Sequence, residues 1–325
     1  MDRSAVIDQI GALLDEHYVF ADIGARLRGT LAAGLADGRY DHDDLPAFAA
    51  AVSTDMQSAN GDLHLRVIHH ADALPEGYGD DTVDLAWMAA WADSACGGVA
   101  RVERLPGNIG RLELGPVLFP TAVAGDAVAG ALAILASADA LLLDLRGCLG
   151  GEPTMVAMIC GSLFDEPTEL SGMYERAGDK LRQMWSLPAG QRRIFGGQKP
   201  VSVLTGPKTF SGGEALAYDL QAPGRATVVG ERTRGGAHPR RGFRVHPHLE
   251  VAVPVARSVH PITGTNWEGV GVTPDVEAPA GDALRVAYEL ALEQALGAAG
   301  GGQRASVIEE ARAAVADIES ALQRS

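Results

Sequence analysis

The chain opens on three apolar stripes of helical period. Val6, Ile10, Leu13 and Leu14 share one face, Ile23, Leu27, Leu31 and Leu35 a second, and Leu45, Phe48, Val52 and Met56 a third. Side chains three or four residues apart lie on one side of a helix, so each stripe needs a partner to cover it. The connections are short, which predicts a small three-helix bundle over residues 3–60. Residues 71–98 break the rhythm. Pro75, Gly77 and Gly79 mark turns, two tryptophans follow, and no period stands out.

From residue 99 the texture changes. Val99–Val102, Ile109–Leu114 and Ala140–Leu145 read as strands, with helices at 122–137 and 153–163. Strands return at 200–205, 225–230 and 249–256, and a helix at 211–221 separates the first two. Strands alternating with helices imply a sheet buried on both faces. The expected fold class is therefore α/β: an N-terminal helical bundle, then a mixed, largely parallel sheet core covered by helices. A further helix at 281–296 leads to the glycine-rich break Gly297–Gly302 and a last helix at 303–323. That helix carries Ile308, Ala311, Val315, Ile318 and Leu322 at 3-4 spacing. Docking on its own domain is the first reading of this stripe, and a homo-oligomer seam the second. The expected domains are 1–70 (bundle), 71–300 (α/β core) and 301–325 (C-terminal helix).

Composition narrows the function. The net charge is −15 over 325 residues, which disfavours nucleic acid and anionic membrane as partners. No apolar run reaches membrane-spanning length; the stretch from Ala122 to Leu145 is interrupted by Gly125, Asp126, Gly130 and Asp139. Three cysteines, Cys96, Cys148 and Cys160, lack metal spacing and leave an odd count. With no basic-then-apolar leader at Met1, these features point to a cytoplasmic protein. No cofactor is implied. Histidines and carboxylates show no tight metal-ligand cluster along the sequence, so no metal is expected.

The most informative run is Val201 to Tyr218. A β-branched strand ends at Gly206-Pro207, a short polar turn follows, and a helix begins at Ser211. A hydroxyl placed there faces the unpaired N–H groups and positive end of a helix, which can hold a developing oxyanion. Ser211 with Glu214 also fits a Ser-x-x-Glu capping box, in which the serine is only a helix cap. Three other segments offer chemistry. Asn60-Gly-Asp-Leu-His64 puts a histidine where the bundle gives way to a strand. Asp144-Leu-Arg146-Gly-Cys-Leu-Gly150-Gly151 is a buried strand entering a glycine turn whose N–H groups can point into a cleft. Trp267-Glu268 lies in a glycine-rich loop ending at Pro274-Asp275. Together they supply a nucleophile, a base, an orienting carboxylate and oxyanion donors, which is what acyl transfer needs. His69, His70, His246, His248 and His260 read as surface or satisfied polar groups.

At these residues the chain resembles the serine peptidase superfamily of C-terminal processing (tail-specific) proteases, the tricorn core and the interphotoreceptor retinoid-binding protein repeats. The quoted motifs are Asp144-x-Arg-Gly-x-x-Gly-Gly151, Thr209-Phe-Ser211-Gly-Gly-Glu214, Val228-Val-Gly230-Glu231-x-Thr233-x-Gly-Gly236 and Trp267-Glu268-Gly-Val-Gly-Val-Thr-Pro274-Asp275. The N-terminal bundle leading to Asp62-Leu-His64 is most similar to the retinoid-binding-protein-like branch. The resemblance implies a crotonase-like (ClpP-like) core without a PDZ domain. It implies Ser211 as nucleophile, His64 as general base, Glu268 as the acid that orients it, and Gly212 and Gly150, with Gly151 beside them, as the oxyanion hole. The lysine of the tail-specific dyad is absent, since its turn reads Arg234-Gly235-Gly236, so the histidine version is required. The asparagine of the glycine turn is replaced by Cys148 or Leu149, which implies a looser loop. The expected function is a serine hydrolase, a peptidase acting through an acyl-enzyme on peptide or other acyl substrates. Two alternatives share the scaffold: a non-catalytic binder of retinoids or fatty acids, and a biosynthetic esterase or acyl transferase with the same triad. An unperturbed histidine base predicts activity rising through about pH 6–7.5.

Overall fold

The computed structural model describes residues 1–79, 81–187, 195–297 and 305–322. The expected glycine break beyond Gly297 lies outside them, as do the ends of the last expected helix, 303–304 and 323. In chain order come α1 (Arg3–His17), α2 (Ala21–Ala36), α3 (Leu45–Gln57), β1 (Arg66–His69) and α4 (Asp81–Ser94). Next are β2 (Val99–Leu105), β3 (Ile109–Leu114), α5 (Thr121–Ile134), β4 (Ala140–Asp144) and α6 (Pro153–Gly161). They are followed by β5 (Glu169–Glu175), β6 (Lys180–Trp185), β7 (Val201–Thr205), α7 (Gly212–Gln221) and β8 (Thr227–Gly230). The remainder is β9 (Arg240–His246), β10 (Leu249–Pro254), β11 (Ala256–Val259), β12 (Val276–Glu277), α8 (Ala283–Gly297) and α9 (Ala305–Leu322). Among the described residues no helix is long and apolar enough to cross a membrane.

The chain forms two compact units. One comprises Met1–Trp87, Ser171–Met184 and Gly235–Gly269; the other comprises Met88–Leu170, Trp185–Arg234 and Val270–Ser325. In the first, the three predicted stripes do meet. Ile10, Leu14, Leu27, Leu31, Phe48, Val52 and Met56 are buried together, and Val67, Val245, Leu249, Val251 and Val253 complete the core. Those valines and Leu249 come from a three-stranded antiparallel sheet ordered β1-β10-β9. The bundle thus borrows strands that lie far along the sequence. A second three-stranded sheet in this part of the chain, β11-β5-β6, had no clear signature. Five of the six β6 residues are exposed, and its mixed apolar and charged run Lys-Leu-Arg-Gln-Met-Trp leaves no clean alternation to read.

Helix α3 does more than fill the core. Its Ser53 hydroxyl accepts the Val67 N–H at 2.8 Å and donates to the Val67 carbonyl at 3.2 Å; Gln57 Nε2 donates to the Leu65 carbonyl at 3.2 Å. These groups point away from β10, so the start of the β1 edge is closed by side chains. This fixes the chain immediately after His64.

The second unit carries the predicted α/β core. Six strands run in the order β12-β8-β7-β4-β3-β2. All neighbours are parallel except β2 and β3. Every residue of β4 and β7 is buried, as expected for central strands covered on both faces. On one face Leu142, Leu204 and Val229 pack against Ala283, Ala287, Ala291 and Leu292 of α8. Small residues on α8 let the helix approach the sheet closely. Ala311, Ala314, Val315 and Ile318 of α9 join the same cluster, and Glu310 takes a 2.8 Å hydrogen bond from Arg104. The middle of the last helix's stripe, Ala311, Val315 and Ile318, therefore packs within its own unit.

Candidate active site

The second unit builds a sharp strand-to-helix elbow at Ser211. β7 ends at Thr205, and Thr209 ties the following turn to the sheet: its hydroxyl donates to the Leu145 carbonyl at 2.8 Å and accepts the Gly206 N–H at 3.0 Å. Phe210 N–H reaches the Cys148 carbonyl at 3.1 Å. The next residue, Ser211, sits at φ 51°, ψ −117°, and α7 starts at Gly212. An ordinary N-cap is extended, with negative φ. A non-glycine residue held at positive φ costs about 1–3 kcal/mol and persists only when its surroundings impose it. Here they do. The Glu214 carboxylate, fully buried, accepts the Ser211 N–H at 2.8 Å through one oxygen and the Thr233 hydroxyl at 2.5 Å through the other. The Ser-x-x-Glu pattern is thus present, but as a clamp on a strained backbone.

Gly150 and Gly151 lie directly against this elbow. Their φ values are 134° and 135°, a region nearly closed to other residues. A Cβ on Gly150 would lie 3.1 Å from Ser211 Cβ, and one on Gly212 would lie 2.5 Å from the Gly151 carbonyl oxygen. Leu118 straps the turn from outside. It donates to the Gly150 carbonyl at 2.8 Å and accepts the Glu152 N–H at 2.7 Å, a bridge that does not consume Gly151's own N–H. Four predicted residues, Ser211, Gly212, Gly150 and Gly151, are brought together.

The loop is not loosened by losing its asparagine. Cys148 is buried, its thiol approaches the Gly150 carbonyl at 3.4 Å, and its carbonyl anchors Phe210. Burial pushes that thiol up to about 11, so it is inert packing. The Asp-x-Arg motif is equally structural. Burial opposes ionisation of Asp144, but hydrogen bonds from Arg146 (2.8 and 2.7 Å) and Arg111 (3.0 Å) outweigh it and hold the carboxyl below its ordinary value. Arg146 also donates to the Ala280 carbonyl at 2.6 Å, which secures the root of the loop.

The first unit gathers the histidine and the carboxylates. His64 is 3% exposed and its N–H is held by Asp62 Oδ1 at 3.0 Å. Asp62 Oδ2 accepts the Tyr18 hydroxyl at 3.1 Å, and Asn60 donates to that hydroxyl at 2.7 Å. Glu268 is positioned by its loop. Trp267, buried, donates to the Gly236 carbonyl at 2.8 Å; Asn266 accepts the Glu268 N–H at 2.9 Å; and Glu268 Oε2 accepts the Ala237 N–H. Ligand atoms of Asp62, His64 and Glu268 all lie within 4.8 Å of one another. The expectation of no tight histidine–carboxylate cluster is therefore corrected: residues about 200 apart in sequence converge on folding. These are the residues that could hold a metal. Asp62 is already engaged at both oxygens and Glu268 at one, which makes the group a poor open ligand set.

The family model for peptidase family S41 matches residues 115–278, half of the chain. The chain belongs to peptidase family S41. It is a serine-type peptidase by that membership. Among solved structures, a peptidase candidate from Parabacteroides merdae ATCC 43184 aligns with a TM-score of 0.61 at 17% identity, covering 90% of this chain and 97% of that one. A lipoprotein from Streptococcus agalactiae gives 0.58 at 14%, covering 90% and 96%. The tricorn protease gives 0.56 at 12%, covering 87% of this chain and 35% of its own. At such identities these likenesses carry the fold alone.

Two residues of this histidine–carboxylate cluster have weaker signals in the sequence. Asp62 stood inside a quoted motif, and its position two residues before His64 is the signal of a side chain turning back onto the backbone. His238 was passed over altogether. It is 5% exposed, with Nδ1 2.8 Å from Asp62 Oδ2 and 3.5 Å from Glu268 Oε2. Its only signal was its place two residues after the Gly235-Gly236 pair. The expected pH dependence also changes. Burial lowers His64 to about 3; Arg240, Arg66 and His238 push the same way against Asp62. A rise in activity through pH 6–7.5 no longer follows for this base.

The elbow makes a stability prediction. Ser211→Gly should be more stable than Ser211→Ala by about 1 kcal/mol, since glycine relieves the positive φ and alanine keeps it. Urea unfolding of the two variants measures this. An alanine variant as stable as the glycine variant would mean that the elbow is unstrained.

Proposed function

We propose that this S41 peptidase cleaves peptide bonds with Ser211, His64 and Glu268. The observation that carries the reading is the strained Ser211 at the head of α7, packed against the Gly150–Gly151 turn. Strain of this kind exposes a nucleophile at a sharp strand-to-helix turn. Ser211 Oγ attacks the scissile carbonyl carbon and His64 takes its proton. The oxyanion forms against the N–H groups of Gly212 and Gly150, with Gly151 alongside. Collapse expels the amine, which takes the proton from His64 and leaves an acyl-serine. His64 then removes a proton from water as it attacks the ester, and returns that proton to Ser211 Oγ as the acid is released. Glu268 stabilises the imidazolium formed in both halves.

A fluorophosphonate reacts with an activated serine and not with a helix cap. We expect stoichiometric labelling at Ser211, none in Ser211→Ala, and a strongly reduced rate in His64→Ala. An unlabelled wild type that binds retinoids or fatty acids tightly would replace catalysis by binding. Labelling without cleavage of any peptide would shift the reading to ester or acyl-transfer chemistry on the same residues.

A further inference from the structure

We propose that His238 is a positioning residue for the His64 base, clamping the Asp62 and Glu268 carboxylates through its Nδ1. The inference rests on the triad reading above. Its geometry is that of a wedge. Nδ1 lies 2.8 Å from Asp62 Oδ2 and 3.5 Å from Glu268 Oε2. Asp62, through its other oxygen, holds the backbone of His64 at 3.0 Å, and Glu268 lies within 4.8 Å of both. One ring nitrogen therefore lies against the carboxylate that fixes where His64 stands and close to a second carboxylate beside the same imidazole.

Everything around His238 restricts its motion. Phe20 packs edge-on against the ring, centroids 5.2 Å apart. Ala237, its neighbour in the chain, donates its N–H to the same Glu268 oxygen that His238 approaches. Tyr18 donates to the same Asp62 oxygen, and burial raises its hydroxyl far above the ordinary range, so it remains a donor. For Nδ1 to donate to Asp62 it must carry the proton, so the bond to Asp62 fixes the tautomer. A mere packing histidine would not need a defined nitrogen here.

The groups facing His64 are Asp62, Glu268, His238, Arg66 and Arg240. Asp62 favours its protonated form, and Arg240, Arg66 and His238 oppose it. Releasing the carboxylates from His238 leaves their charge uncompensated beside His64, and the proton binds His64 more tightly. The base is then lost at a higher pH.

Two variants of similar bulk test this. In His238→Asn the amide N–H replaces Nδ1; in His238→Gln it replaces Nε2, on the wrong side. The fluorophosphonate labelling rate of the full chain is measured against pH, and the His64 ring is titrated by NMR. We expect His238→Asn to keep the wild-type midpoint. His238→Gln should move it up by at least one pH unit, with labelling at pH 3 slowed about fivefold and labelling at pH 6 unchanged. A glutamine profile that superposes on the wild type overturns the proposal, as does an equal displacement in both variants. A wild type that is not labelled overturns the triad reading instead, and the NMR midpoint of His64 still decides the role of His238.

Discussion

Glu268→Gln is expected to lower turnover by about three orders of magnitude while the fold survives. In the proposed mechanism the imidazolium on His64 is a buried cation, and the Glu268 carboxylate lies within 4.8 Å of that ring. A charge at that range inside a protein is worth several kcal/mol to a developing cation, and about 4 kcal/mol corresponds to three powers of ten in rate. Glutamine keeps an oxygen for the Ala237 N–H, so the loop through Trp267 has no reason to move. The loss should fall on the chemical step rather than on KM. Labelling or peptide turnover in the glutamine variant within tenfold of wild type would take Glu268 out of the mechanism.

The second large effect is on acid tolerance, and it runs in two directions. His64, lowered to about 3, is a neutral base across the whole range above about pH 4. Activity should therefore stay flat from pH 8 to about pH 5, where an ordinary histidine base would have failed. Stability behaves oppositely. In the unfolded chain His64 takes its proton near pH 6.5, and in the folded chain only near pH 3. Between these values the unfolded state binds the extra proton, so folding weakens as pH falls, by about 1 kcal/mol per pH unit from this group. Urea unfolding of wild type and His64→Gln at pH 7, 6, 5 and 4 isolates the contribution. The wild type should lose ground steadily relative to the glutamine variant; parallel curves would show that His64 does not carry it.

Local signals predicted local features well. The stripes of α1, α2 and α3 and the apolar runs of β4 and β7 announce their elements because one covered face, or two, dictates the pattern. Ser211 was legible from its place between a strand and a helix. What the sequence could not convey was the positive backbone angle at Ser211, because that angle is enforced by Glu214, Thr233 and a glycine turn 60 residues earlier. The same holds for His238 and Asp62. A buried polar contact between residues 176 apart leaves no period and no spacing rule. Sheet β11-β5-β6 was unread for a different reason, since an exposed strand such as β6 has no face that must be apolar.

The way α3 seals the start of β1 bears on how such an enzyme lives among its substrates. Unfolded polypeptides adhere wherever a strand offers a row of free amides and carbonyls. Next to His64 that row is already occupied, by Ser53 at Val67 and by Gln57 at Leu65. An extended chain arriving there finds no ladder to join and leaves again. A strand edge closed this way offers no template on which another extended chain can pair.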